Sequence, residues 1–485
     1  MDRLPAVNMQ TTEALPWPLS DRIKRLLPWL VAVAFFMESL DATILNTAVP
    51  AIAEALEVAP LSMKAVLSSY TLSVAVFVPV SGWLADRFGT RRIFSTAIAL
   101  FTLGSLLCGL STNIHMLVAS RIVQGLGGAM MVPVGRLTMV RTFAKSELVQ
   151  AMTFVAIPAL IGPMLGPVAG GFIVHYLHWR VIFFVNLPIG LFGLYMVYQH
   201  LPDYRSTDWK PLDTVGLVLF SSGIALLSYV LEVFGEHSLS SWAMLSLLAI
   251  SLALLGTYGR HALTAPYPLL RLALFRIRTF RVALGGSFVT RLGAAGMPFL
   301  LPLLYQVGMG FSPVQAALLI VPQPLAAMSM KFSISRLLKR FGHRRVLLVN
   351  TVAMGSMMML FATIGPGTPI WRIVLQAFLF GFCSSVQYSS MNTLVYADVP
   401  TGDTSMASTM SSTLQQMSMS FGVATASLTA ALFVPTQSQS SATELVHGIH
   451  MAFIALGVLT IASSLVFREL RRDDGNSVSG ALSQV

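Results

Sequence analysis

Long uninterrupted apolar runs recur along the whole chain, and they decide which solvent it folds in. Fourteen can be read, at 27–50, 65–85, 93–110, 116–136, 149–175, 181–198, 212–231, 242–258, 280–305, 313–334, 346–364, 370–394, 406–433 and 449–467. An α-helix needs about 20 apolar residues to cross a hydrocarbon core about 30 Å thick. Only helices and closed barrels satisfy every backbone N–H and C=O in such a core. A barrel would read as alternating strands of roughly ten residues, whereas these runs are long and unbroken. Composition agrees: 55% of the 485 residues are hydrophobic and 11% charged, where soluble domains are roughly a quarter charged. The mean hydropathy is +0.73. The expected fold class is an all-α polytopic membrane protein.

Fourteen is even, so both termini fall on one side. With the N-terminus cytoplasmic, the inner segments carry 25 of the 31 Lys and Arg. The outer loops hold only Lys64, Arg180 and Arg372, and the other three, Arg121, Arg291 and Lys331, lie within spans, with Arg136 and Arg281 at inner span ends counted among the 25. That asymmetry follows the positive-inside rule and puts both termini in the cytoplasm. The net charge of +11 is then a topology signal, and no nucleic-acid partner is implied. The first apolar run is long enough to span and does not read as a cleavable signal. No connection exceeds about 22 residues, which leaves no room for a soluble catalytic domain. Cys108 and Cys383 lie far apart inside apolar runs, so neither a disulfide framework nor a metal site is expected.

An internal repeat divides the chain. Arg87-Phe88-Gly89-Thr90-Arg91-Arg92 returns as Arg340-Phe341-Gly342-His343-Arg344-Arg345, each time after the second span of a six-span block. Two parallel halves, 27–198 and 280–467, are therefore expected, related by an axis along the membrane normal. Residues 1–26 form an N-terminal arm, 199–279 a linker holding two extra spans, and 468–485 a tail.

The loop from Gly82 through Asp86, Arg87, Gly89 and Arg91 to Arg92 resembles the signature loop of the major facilitator superfamily. Arg121, Gln124, Gly125, Gly127 and Gly128 resemble its fourth-span motif, and Gly162-Pro163, Gly166-Pro167 and Gly170-Gly171 its fifth-span antiporter motif. Leu40-Asp41-Ala42-Thr43 with Asn46 and Pro50, and Trp179-Arg180 with Asn186, Pro188 and Gly190, are similar to motifs of its fourteen-span drug/proton antiporter branch. Within that branch the chain resembles the MdtD-type multidrug transporters. The resemblance implies two six-helix bundles with a central extra pair, alternating access, and proton-coupled export of amphipathic drugs across a bacterial inner membrane. It implies small-molecule substrates, the lipid bilayer as partner, protons as coupling ion with no other cofactor, and a monomer. Lys339 stands where Asp86 stands in the first half, and Ser335 where Gly82 stands, so the first loop is expected to carry the gating charge.

An ionisable group inside the bilayer costs at least roughly 2.5–3.5 kcal/mol, which marks it as functional. Glu38, Asp41, Arg121 and Arg291 are such groups. At about 1.5 Å rise per residue, Asp41 and Arg121 share one layer, while Glu38 and Arg291 lie near the midplane. Two acid–base pairs are expected, Asp41 with Arg121 and Glu38 with Arg291. Burial raises a carboxyl pKa and a nearby Arg lowers it, so a conformational change in either makes the group bind and release a proton. A static pair that fixes helix register is the alternative. One proton crossing about 150 mV yields roughly 3.5 kcal/mol, enough for about a several-hundred-fold gradient of a neutral solute.

Gly162, Gly166 and Gly170 lie along one helix face and permit close approach, while Pro163 and Pro167 remove backbone donors. The resemblance assigns this pattern to an interface that seals one conformation. Asp86 is read as a latch at the inner surface that breaks between states. Asn46, Gln124, Gln387 and Asn392 are candidate polar residues of the substrate cavity, as are Gln415 and Gln416; such side chains also glue helices together, and both readings stand. Because Arg121 and Arg291 offset the two carboxyls, exported organic anions or metal–carboxylate chelates are the alternative substrates. A channel conflicts with the Gly-Pro sealing pattern. For an intramembrane enzyme the chain shows neither His-Glu-X-X-His nor paired aspartates on facing spans.

Overall fold

The computed structural model describes residues 21–143, 145–205, 211–233, 240–330, 333–400, 403–433 and 442–475. Among them fourteen long helical stretches follow one another, and none of the described residues is in a strand. In the first half they are α1 (Asp21–Ile44), α2 (Lys64–Phe88), α3 (Thr90–Leu110), α4 (Ile114–Thr142), α5 (Lys145–Tyr176) and α6 (Asn186–His200). The extra pair is α7 (Thr214–Val233) and α8 (Ser241–Thr264). The second half has α9 (Arg278–Ala294), α10 (Pro313–Ile320, continued by Pro322–Met330), α11 (Ile334–Leu360), α12 (Ile370–Leu394), α13 (Thr404–Ala431) and α14 (Ala442–Ala462).

Twelve of these stretches are long and apolar enough to cross a membrane. The other two, α5 and α13, occupy the fifth and thirteenth expected spans and are 32 and 28 residues long. Three prolines interrupt α5, and Ser, Thr and Gln crowd α13. The fold is thus compatible with fourteen spans. Lys331, most of the N-terminal arm and the end of the tail lie outside the described residues.

Turn chemistry ends the helices where the sequence supplies it. The Asn113 and Ser240 side chains cap α4 and α8, and Ser312 and Gln315 form a reciprocal capping box at α10. The first span of each half breaks on the side away from the termini. After α1 a 3₁₀ turn, Asn46–Ala48, leads into Val49–Ala55, and after α9 the helix Met297–Leu303 leads into a π-helical turn, Leu304–Gly308.

Packing follows the repeat. The halves meet along two seams, α2 against α13 and α5 against α10. Each seam joins the second helix of one half to the fifth of the other, as a pseudo-twofold axis between the halves requires. The extra pair packs on itself, and α7 lies over the α2–α13 seam. Its end nearest the termini is pinned at Asp213, whose carboxyl lies 2.7 Å from His261 Nε2 and accepts the Gly216 and Leu269 N–H groups. Burial opposes ionisation of Asp213, but those hydrogen bonds prevail and hold its carboxyl below the usual carboxylate range.

Candidate functional site: the central cavity and its buried ion pair

A cavity of about 610 Å³ lies between the halves. Away from the termini it is closed by one apolar cluster drawn from both halves, including Ile44, Val49, Ile52, Phe299, Leu303, Tyr305 and Ile320. Towards the termini it reaches Arg136, Tyr396 and Ser408, near the ends of α4, α12 and α13. Its two walls differ in kind. The first half supplies Glu38, Arg121 and Arg136, and the second half supplies neutral Asn392, Ser411, Ser412, Gln415 and Gln416.

Behind the charged wall lies a closed polar network. Arg121 Nη1 donates to Asp41 Oδ2 at 2.6 Å and to Gln124 Oε1 at 2.6 Å. Gln124 Nε2 donates to Asp41 Oδ1 at 2.8 Å and to Ser105 at 2.7 Å. Asn186 Nδ2 donates to Asp41 Oδ1 at 3.0 Å. Asp41 is 1% and Arg121 2% exposed. Such a pair persists in low dielectric because every oxygen of the carboxylate is hydrogen-bonded. The Arg121 guanidinium also lies 4.3 Å from the centre of the Tyr70 ring, and Tyr70 OH donates to Glu38 at 3.5 Å. A Cβ on Gly128 would stand 2.6 Å from that hydroxyl oxygen, so the fourth-span glycine makes room for the tyrosine linking the two acidic positions.

Several sequence expectations need correction. Glu38 and Arg291 do not pair: Glu38 bonds to Tyr70, whereas Arg291 donates to Ser287 at 3.1 Å and Gln415 at 3.3 Å and stacks 4.1 Å over Tyr388. Equal depth is not equal azimuth, and helix rotation points the two groups at different neighbours. Arg291 is 7% exposed and is not among the lining residues; Arg136 is the cavity-lining arginine that sequence reasoning missed. Positions 121, 128, 132 and 136 are all lining and fall on one stripe of α4, a signal that could have found it. Of the candidate polar residues, Asn46, Asn392, Gln415 and Gln416 line the cavity. Gln124 belongs to the Asp41 network, and Gln387 bonds within the second half to Asn350 and Thr351.

At the surface nearest the termini, Asp86 accepts from Arg141 at 2.5 Å, within its own half. Arg87 stacks on Trp83 and Phe88. Gly89 has φ +98°, and a Cβ there would collide with the Asp203 carboxylate 2.2 Å away; the Arg91 N–H donates to that carboxylate at 3.2 Å. Gly82 has nothing within 4 Å of a would-be Cβ, so close approach does not require a glycine there in this conformation. The antiporter motif divides in two. Cβ atoms on Gly162, Gly166 and Gly170 would meet Ser39, Thr43 and Ile44 at 2.0–2.2 Å, which packs α5 on α1 inside one half. Gly171 alone faces across, where a Cβ would stand 2.5 Å from the Pro313 carbonyl oxygen. Pro163 lines the cavity, and Thr47 donates to the Pro167 carbonyl at 3.2 Å.

Two pseudo-symmetric six-helix bundles around a central cavity with buried charge define a secondary transporter and not an enzyme. Residues 31–423 match the Major Facilitator Superfamily model, and the chain belongs to that superfamily. Among curated proteins it is 43% identical over 409 residues to MdtD of Escherichia coli O7:K1, covering 84% of this chain and 86% of that protein. To MdtD of Salmonella typhi it is 40% identical over 447 residues, covering 92% and 94%. Both carry a provisional name for multidrug resistance. Solved structures share the fold. The POT family transporter PepTSo superposes with a TM-score of 0.68 at 15% identity, covering 92% of this chain and 97% of that one. An inward-facing bacterial homologue of the lysosomal transporter Spinster gives 0.63 at 13% identity, covering 96% and 100%.

Proposed function

We propose that this protein is a proton-coupled antiporter that exports small molecules, amphipathic drugs among them, across the bacterial inner membrane by alternating access. The buried Asp41–Arg121 pair, one turn from Glu38 on the cavity wall, carries the reading. A proton entering from the cavity meets the Glu38 carboxyl, which shares Tyr70 with Arg121. Neutralising Asp41 removes the partner of a buried cation, and Arg121 must then find another arrangement. That conditional instability is what a transporter needs to tie a proton to a change of state. The cavity reaches the face bearing the termini, which corresponds to an inward-facing state if the termini are cytoplasmic. The relatives' name supports drugs as substrates.

A specific observation also favours organic anions or metal–carboxylate chelates. The charged residues that line the cavity are Arg121, Arg136 and Glu38, two positive groups to one negative. Inverted vesicles under an imposed pH gradient, offered cationic dyes and organic acids, test both readings. Asp41→Asn should abolish pH-driven uptake of whichever class is carried; unchanged uptake removes Asp41 from the coupling. Arg136→Gln should cut carboxylate uptake roughly tenfold, the loss of one charge-assisted hydrogen bond, and spare cationic dyes.

A further inference from the structure

A second cleft, of about 480 Å³, lies outside the bundle between α2, α4 and α7. It is separate from the central cavity because α2 divides them by helical period: Leu67, Tyr70, Thr71, Val74 and Val78 face the cavity, and Ser69, Leu72, Ser73, Val76 and Phe77 face the cleft. Ile122, Ala225 and Tyr229 form its exposed rim, while Ser69, Ser73 and Ser228 are buried. Ser228 is 1% exposed, and its hydroxyl has no hydrogen-bond partner. Ser69 and Ser73 bond to backbone carbonyls of Val66 and Ile122. A buried hydroxyl left without a partner is disfavoured, so an acceptor entering the cleft would stabilise Ser228.

Depth identifies the source of that acceptor. Helix α7 runs away from the termini, so Ser228 and Tyr229 lie at the outer end of its wall of the cleft. On the facing wall Ser69 lies five residues from the start of α2 at Lys64, about 7.5 Å below it. The cleft therefore sits in the leaflet away from the termini, with its polar end near the level where acyl chains meet their ester groups. Tyr229 stands beside that level, as interfacial tyrosines do. A cleft of this size facing hydrocarbon does not stay empty, because its lining would forfeit dispersion contacts.

We infer that this cleft is a phospholipid-binding site: one acyl chain lies between α2 and α7, and an ester carbonyl accepts from Ser228. The bound lipid fills the gap between the extra pair and the first bundle. The full chain, reconstituted in vesicles of phosphatidylethanolamine and phosphatidylglycerol containing a phosphatidylethanolamine with an acyl-chain diazirine, tests this by photolabelling and peptide mapping. Adducts should concentrate at 69–77 and 221–229 above the level on the lipid-facing side of α8. Ala225→Trp, which closes the cleft from its rim, should abolish that excess. Ser228→Ala, which removes the hydroxyl and adds no bulk, should lower it about fivefold, the equivalent of one hydrogen bond, and carries the test if the tryptophan variant does not fold. Labelling no denser than on α8, labelling indifferent to both variants, or labelling displaced by an exported drug but not by excess phospholipid overturns the proposal.

Discussion

Asp41 and Arg121 are tolerated in the membrane because they satisfy each other and because Gln124 and Asn186 complete the carboxylate's shell, both amides being held in turn by Ser105. The sequence alone announced both charges, since each interrupts an apolar run. It could not announce which acid meets which base: Glu38 met a phenol, and Arg291 met a hydroxyl, an amide and a ring. The two loop glycines differ in the same way. Gly89 holds a positive φ of 98° with the Asp203 carboxylate in the place of a side chain, whereas Gly82 has open space. Gly89→Ala should therefore destabilise the protein by about 1–3 kcal/mol. Gly82→Ala should leave its thermal unfolding within about 0.5 kcal/mol of the parent yet slow transport, the outcome expected of a gating loop that closes on this glycine in a second conformation. Unfolding in detergent and vesicle flux together check the contrast.

Among the elements, α5 has two duties that its evenly spaced glycines hide. Gly162, Gly166 and Gly170 bind it to α1, and only Gly171 turns towards the other half. The four-residue spacing foretold a close-packed face but not its partner, because small residues permit approach by any helix. Gly166→Leu should wedge α1 from α5 and impair folding of the first bundle. Gly171→Leu should leave both bundles intact and part α5 from α10. With Asn46→Cys in the cavity, the Gly171→Leu background should admit an impermeant thiol reagent from the side away from the termini, and the parent should not. Equal labelling in the two backgrounds would show that Gly171 does not seal.

For the molecule as a whole, the closure away from the termini rests on few specific contacts over an apolar plug. Gln306 donates to the Thr47 carbonyl at 2.9 Å, Ser427 to the Leu61 carbonyl at 3.1 Å, and Gly171 abuts Ala317. Gln306 lies on the π-helical turn and Thr47 on the 3₁₀ turn, so both breaks present groups that regular helix would have withheld. Under the alternating access we propose, rocking of the halves breaks all of these together. Gly171→Cys with Ala317→Cys, in a background lacking Cys108 and Cys383, should form a disulfide that stops transport and is reversed by reductant. Undiminished flux with the bond formed would exclude opening at this seam.

From the order of residues alone come the places of the membrane helices, the internal repeat and the isolated charges. Each helix satisfies its backbone within its own segment, so local composition is enough to specify it. Tertiary structure alone decided the rotation of those helices. Rotation turned Arg136 and Gln415 into the cavity, Gln387 and Arg291 away from it, and Tyr70 between Arg121 and Glu38. In hydrocarbon no solvent contrast orients a polar face towards water, and the azimuth of a helix is set by the neighbours it packs against.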